Sequence, residues 1–396
     1  MKMTREEFNI TLSYMEDWLD LERPPRSQYT PREILCVLMY ASQQNKTIHQ
    51  ACRELDNAPH ANTIFNLLYP LKVEDLEEKL NRTVRSLIPP EVFNTSKQVA
   101  IDYKLIPTWV DESKLQEEER QYIIRSKAKE GTNRFYAFAS IYLIKKGKRY
   151  TVGLVMVKRG MSKVEVIRKL LKLFREAGGE VKCLYLDREF YCVDVISYLQ
   201  GEKIPFLMAV RKSEGIKRLI NQKGVGIHDY VVRSREKEVK VKIVVVGTYL
   251  KGKRGKKGRK IYVYAIHLYP YSLRGLYGVH HRYRNRFGIE SSHRLWERSR
   301  GRTASRRGVL RFVLLGIGVL FYNVWVYLVS QAVRRGEIRF TFQSYLTLLR
   351  REIEGRMCGR GIAEACFAPL VLSFMISVRF FIWGVIYDNV DDSLSL

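Results

Sequence analysis

The chain has 396 residues, 46% of them hydrophobic, enough to build real cores across two or three domains and to class it as globular. Its 69 lysines and arginines stand against 41 acids, a formal charge of +28, which attracts a polyanion, nucleic acid first, with a salt-sensitive affinity. The plainer alternative is a basic protein kept soluble by its charge. The cysteines, Cys36, Cys52, Cys183, Cys192, Cys358 and Cys366, form no C-x-x-C pair and lie mostly among apolar neighbours, so they read as reduced core thiols with no zinc or haem pattern.

Residues 1–95 read as helices. The N-terminal Met1-Lys-Met-Thr-Arg-Glu-Glu7 lacks an apolar signal region, so the chain is expected to stay in the cytoplasm. Helices are expected over Arg5 to Leu21 and over Pro31 to Gln44, the second with Thr30 as N-cap and Pro at its first position. Thr47 to Leu55 and Ala61 to Leu68, about the turn Asp56 to Pro59, resemble a helix-turn-helix; such pairs are common in any helical bundle, and the overall charge is what favours DNA contact here.

Pro89-Pro90 marks a boundary, and from Gln98 the pattern changes. Val99 to Tyr103, Arg134 to Leu143 and Arg149 to Val157 are rich in β-branched and aromatic residues and predict three strands, the last two antiparallel about Lys145 to Lys148. Ser162-x-x-Glu165 is a capping box, and Val164, Ile167, Leu170, Leu171 and Phe174 follow at helical spacing up to Gly178-Gly179. A strand, Val181 to Leu186, ends on Asp187; a helix, Val193 to Gln200 with Gly201 as its stop, leads to the strand Ile204 to Val210. Strands and helices in this succession define an α/β fold with the ribonuclease H-like order, a mixed sheet covered by helices.

Residues 211–270 read as a β-rich insertion, with strands at Tyr230 to Val232, Val239 to Leu250 and Lys260 to Tyr269 around the basic run Lys251 to Lys260. Helix resumes near Val279 and runs to about Arg298. Val309 to Val333 carries only Arg311 as a charge over 25 residues and is long enough to span a bilayer. Arg311, Asn323 and Gln331 interrupt it and basic segments flank both sides, so a buried core helix is the expectation, with no membrane. Ile362 to Tyr387, broken by Pro369 and Arg379, reads as core as well.

Three acids carry the chemistry. Asp102 interrupts the apolar run Val99-Ala-Ile101, and Asp187 closes Leu184-Tyr-Leu186. A charge there is costly unless paired or metal-bound, though a lone strand-end Asp is often a turn former. Tyr283, Arg286, Glu290, His293 and Glu297 recur at helical spacing on one face. Alone, such a face is a solvated salt-bridge face; with two strand-end acids opposite, it becomes the third side of a carboxylate site. Asp111 and Glu112 are rivals for the first acid, and Glu189 for the second.

These residues resemble the DDE transposases of prokaryotic insertion sequences, in the group marked by Tyr, two residues, Arg, three residues, Glu, six residues, Lys. Tyr283, Arg286 and Glu290 match in type and spacing, while Ile101-Asp-Tyr-Lys-Leu-Ile-Pro107 and Leu186-Asp-Arg-Glu-Phe-Tyr191 look like the two upstream acid regions. The resemblance spans residues 98–335. It implies that Asp102, Asp187 and Glu290 hold two Mg2+ or Mn2+ ions for in-line cleavage of DNA and strand transfer. It implies phosphate contacts from Tyr283 and Arg286, and a double-stranded DNA partner comprising terminal inverted repeats and target, bound by a homodimer at the nucleoid. The signature Lys falls at Glu297, so Arg294 or Arg298 is left to replace it, and no Trp occurs in the insertion to stack on a flipped base. The expected division is a helical DNA-binding domain (1–95), a catalytic domain (96–335, with the insertion at 211–270) and a mostly helical C-terminal region (336–396).

Overall fold

The structure, a computed structural model, describes residues 5–23, 27–145, 149–249, 258–269 and 275–358. The turn at 146–148, most of the basic run at 251–260, Cys366 and the apolar region 362–387 lie outside the described residues.

The N-terminal helices are α1 (Arg5–Leu19), α2 (Pro31–Gln43), α3 (Ile48–Glu54), α4 (Ala61–Leu68) and α5 (Val73–Ser86). Thr30 caps α2 as its sequence predicts: its hydroxyl accepts from the Glu33 N–H, and the Glu33 carboxylate accepts from the Thr30 N–H. The indole of Trp18 donates to the Leu76 carbonyl at 3.0 Å, tying α1 to α5.

The sheet begins with β1 (Lys97–Pro107). The short α6 (Glu117–Arg120), β2 (Ile123–Lys129), β3 (Thr132–Leu143), β4 (Thr151–Met156), α7 (Lys163–Glu176), β5 (Val181–Leu186), α8 (Val193–Gly201) and β6 (Phe206–Ala209) follow. β1 runs antiparallel to β3 and parallel to β5, β5 is parallel to β6, and β4 pairs with β3. The central order β4-β3-β1-β5-β6 is the ribonuclease H-like arrangement expected from the sequence. It sets the middle of β1 beside the end of β5, with Ile101 opposite Leu186.

Beyond β6 come α9 (Glu214–Lys223), β7 (Gly226–Arg233), β8 (Glu238–Tyr249) and β9 (Arg259–His267). β9 pairs with β6, so the insertion's strands extend the same sheet to nine strands. The chain then forms α10 (Leu276–Arg284), α11 (Phe287–Arg298), α12 (Gly308–Arg334) and α13 (Phe342–Met357).

Four local expectations are corrected. β2 was not foreseen: it hairpins onto β3 through Glu130 and Gly131, at φ +54° and +77°, the two-residue turn that matches strand twist, and its cationic, largely exposed residues give no alternation to read. α9 lies in the β-rich insertion where no helix was expected, because Ile216 and Leu219 alone mark its buried face. α8 continues through Gly201, and Lys203, at φ +52°, takes the left-handed turn assigned to that glycine. The helix expected from Val279 to Arg298 divides at Asn285-Arg286, where N–H groups bond three residues back rather than four.

α12 is long and apolar enough to cross a membrane, yet most of its apolar stretch is buried against protein. It lies on the outer edge of β4, where the Asn323 side chain exchanges hydrogen bonds with the Thr151 backbone N–H and carbonyl (3.1 and 2.7 Å). Asn81 of α5 does the same for Leu154, at 2.8 Å in both directions. Two buried amides thus satisfy a strand edge that would otherwise expose orphan backbone groups.

Candidate active site

Strand pleat and helix break set the site. Asp102 lies on β1 opposite Ser140 of β3, and Asp187 follows the last residue of β5. Tyr283 lies in the last turn of α10 and Glu290 in the first turn of α11. The break between these helices turns Arg286 inward, and its guanidinium reaches all three acids: 2.9 Å to Asp102 Oδ2, 3.0 Å to Glu290 Oε1 and 3.8 Å to Asp187 Oδ1. Arg286 is 4% exposed, whereas Asp102, Asp187 and Glu290 are 17, 29 and 47% exposed. The cluster therefore opens to solvent on its carboxylate side.

Burial pushes the Asp102 carboxyl up to about 6, with Asp187 repelling in the same direction and Arg286 opposing it. Burial alone would push Arg286 down; Tyr283 and the three acids outweigh it and hold the guanidinium more firmly charged than usual. Tyr283 donates to the Leu186 carbonyl at 3.0 Å, which ties α10 to the end of β5 beside Asp187. Its phenol is raised by burial.

Two glycines let α11 come this close. A Cβ on Gly288 would stand 2.5 Å from the Tyr142 hydroxyl, and one on Gly318 of α12 would stand 2.9 Å from the Trp296 carbonyl. Between these contacts His293 is buried against the sheet, its Nε2 3.0 Å from Ser140 Oγ, and burial pushes it down to about 3, so it is neutral.

The rival acids stand elsewhere. Glu112 is held by Arg125, Arg134 and Arg159, and Asp111 accepts from Ser113. Glu189 is exposed on the groove that β1 separates from the cluster. Arg294 and Arg298 are exposed on α11, Arg294 within 3.3 Å of the Ser291 hydroxyl.

Glu297, where the signature has Lys, binds Lys104 of β1 at 3.1 Å and Arg300 at 3.0 Å. Lys104 belongs to no motif that marks it as functional. The signal was its period: two residues beyond Asp102 on a strand, it projects from the same face.

The donor set is all carboxylate oxygen, which suits a hard divalent cation such as Mg2+ or Mn2+ better than a softer metal. Among the described residues no three His, Cys, Asp or Glu side chains stand close enough together to enclose one ion. The guanidinium spaces them, already supplying one positive charge to a half-buried acidic cluster whose Asp102 resists ionisation. Chemically the residues fit such an ion, with Arg286 as the group that has to yield.

Acids from the middle of β1 and the end of β5, faced by a third from a helix on a ribonuclease H-like sheet, form an arrangement of the kind used by the phosphoryl-transfer class of nucleic-acid enzymes. Residues 99–324 match the family described as transposase DDE domain. The chain therefore belongs to the DDE transposases, enzymes that cleave DNA strands and transfer them. In fold it is similar to a piggyBac transposase solved as a synaptic complex with hairpin DNA, with a TM-score of 0.55 and 12% identity over 94% of this chain and 82% of that one. No curated protein matches it.

Proposed function

We propose that this transposase cuts and joins DNA at the ends of an insertion sequence, with Asp102, Asp187 and Glu290 as its catalytic acids. The observation that carries the reading is the convergence of these three side chains, from β1, the end of β5 and α11, on the single guanidinium of Arg286. Two Mg2+ or Mn2+ ions bound by the acids would supply activation of the attacking oxygen and stabilisation of the leaving oxygen.

The rest is work for the chain's own groups. Arg286, freed from the acids, is placed to take a DNA phosphate as a fork, and Tyr283 fixes its approach by anchoring α10 to Leu186. Exposed Arg294 and Arg298 on α11 add phosphate contacts along the same helix. The helices of residues 1–95 hold double-stranded terminal repeats, and a homodimer pairs two ends in the cytoplasm, at the nucleoid.

A strand-transfer assay tests this reading. Purified protein, given a short duplex with a free 3′-hydroxyl end and a supercoiled plasmid in Mg2+, joins the two. Cleavage without joining would mark a nuclease on the same fold, and the proposal would fall.

A further inference from the structure

On the other side of β1 from the acids lies a groove of about 1090 Å³, walled by β2, the segment after β4, and the residues following β5 and β6. Its rim is cationic. Arg125 and Arg159 share the single carboxylate of Glu112, and Lys158 pairs with Glu74. Lys127, Arg188, Arg211 and Lys212 are exposed and have no carboxylate partner among the described residues. One exposed acid, Glu189, shares the lining, so the concavity keeps an excess of positive charge that an anion relieves.

The floor differs from the rim. Tyr103 stacks on Phe190 with ring centroids 4.9 Å apart and planes 7° apart, and Leu105 and Ile124 continue an apolar surface beside it. A duplex presents phosphates outward and keeps its base faces stacked within, so it has no use for such a floor. An unpaired strand offers both, base faces for the floor and phosphates for the rim. Arg188 in the lining follows Asp187 directly in the chain, which links the groove to one of the acids through the backbone after β5.

We infer that this groove binds a single strand of DNA leading to or from the carboxylate cluster. The inference rests on the DNA-processing reading above and adds the class of strand and its path. Bases lie toward Tyr103, and phosphates meet Lys127, Arg188, Arg211 and Lys212.

The test is fluorescence anisotropy of the full chain in EDTA, with a labelled 12-nucleotide oligothymidylate and, separately, a 12-base-pair duplex, across a salt series. The triple variant K127Q/R211Q/K212Q changes exposed side chains only and keeps the parent's melting temperature. Its log-log salt slope for the single strand falls by about 2, at roughly 0.7 per lost phosphate contact, while duplex binding changes less. Tyr103→Leu weakens the single strand about tenfold without altering the slope. A control triple, K182Q/K203Q/K223Q, removes equal charge from exposed sites that do not line the groove and leaves the slope in place. An unchanged slope in the groove triple, an equal loss in the control, or an equal loss for duplex overturns the inference. Because binding is read without divalent ions, failure of the groove is separate from failure of strand joining, which is read on the wild-type chain in Mg2+.

Discussion

Arg286 donates to Asp102 at 2.9 Å across 184 positions of sequence, and this pair joins the break between α10 and α11 to the middle of the sheet. The guanidinium is buried and Asp102 is nearly so. Each depends on the other for its charge.

That dependence predicts strong coupling. Arg286→Ala strands three carboxylates around an empty position and costs on the order of 3–5 kcal/mol, the range for breaking a buried pair. Asp102→Asn in that background returns part of the loss, because the most buried of the three charges is gone. Chemical denaturation of the four proteins of the double-mutant cycle gives the coupling directly; additive effects contradict a shared charge cluster.

Lys104 makes a second case. It projects beside Asp102 and is held by Glu297 at 3.1 Å, placing a cation from β1 where the signature would bring one from the helix. Lys104→Gln is expected to slow strand cleavage at least tenfold while costing under about 1 kcal/mol of stability, since the pair is partly exposed. Exchanging the charges, K104E/E297K, restores more activity than Glu297→Lys alone. Normal cleavage by Lys104→Gln removes it from phosphate binding.

Glu77 of α5 sets a pH response remote from the acids. Its carboxylate accepts from the Met156 N–H at 2.7 Å on the edge of β4, and burial pushes it up to about 7, with Glu74 adding and Lys169 and Lys158 opposing. The raised value means that folding favours the protonated form. Its contribution is therefore full below the ordinary carboxylate range near 4.5 and is lost as pH rises through about 7. Glu77→Gln keeps the hydrogen bond without the charge, and should stabilise the protein by on the order of 2 kcal/mol at pH 8 with little effect at pH 4.5. Melting curves across that range check the sign.

Gly318 controls the seat of α11. A methyl there meets the Trp296 carbonyl at 2.9 Å and the Ser299 carbonyl at 3.3 Å, both backbone atoms that move only with the helix. Gly318→Ala is expected to cost about 1–3 kcal/mol despite alanine's better helix propensity. It should also lower cleavage at temperatures where the protein is still folded, because α11 carries Glu290. Full activity would mean that the helix position is not critical.

Strong local signals in the sequence were legible where local physics decides. The Thr30 and Ser162 caps formed as their spacing requires, and apolar runs ending on acids located β1 and β5. α12 was readable as core from its polar interruptions, and Asn323 proves to be one of the groups that fix it to β4. β2 and α9 were not readable, because a cationic strand half in solvent and a helix with two buried apolar residues carry almost no periodicity. In the site, helical spacing put Tyr283, Arg286 and Glu290 on one side despite the break. Spacing could not show that Arg286 turns inward to the acids, nor that Glu297 recruits Lys104 from β1.

The most direct measurement is Mg2+-dependent cleavage of a terminal-repeat duplex by Asp102→Ala, Asp187→Ala and Glu290→Ala, each alongside a DNA-binding assay. All three variants should bind DNA close to wild type and lose cleavage altogether. Full cleavage by any one of them would contradict its place in the catalytic cluster.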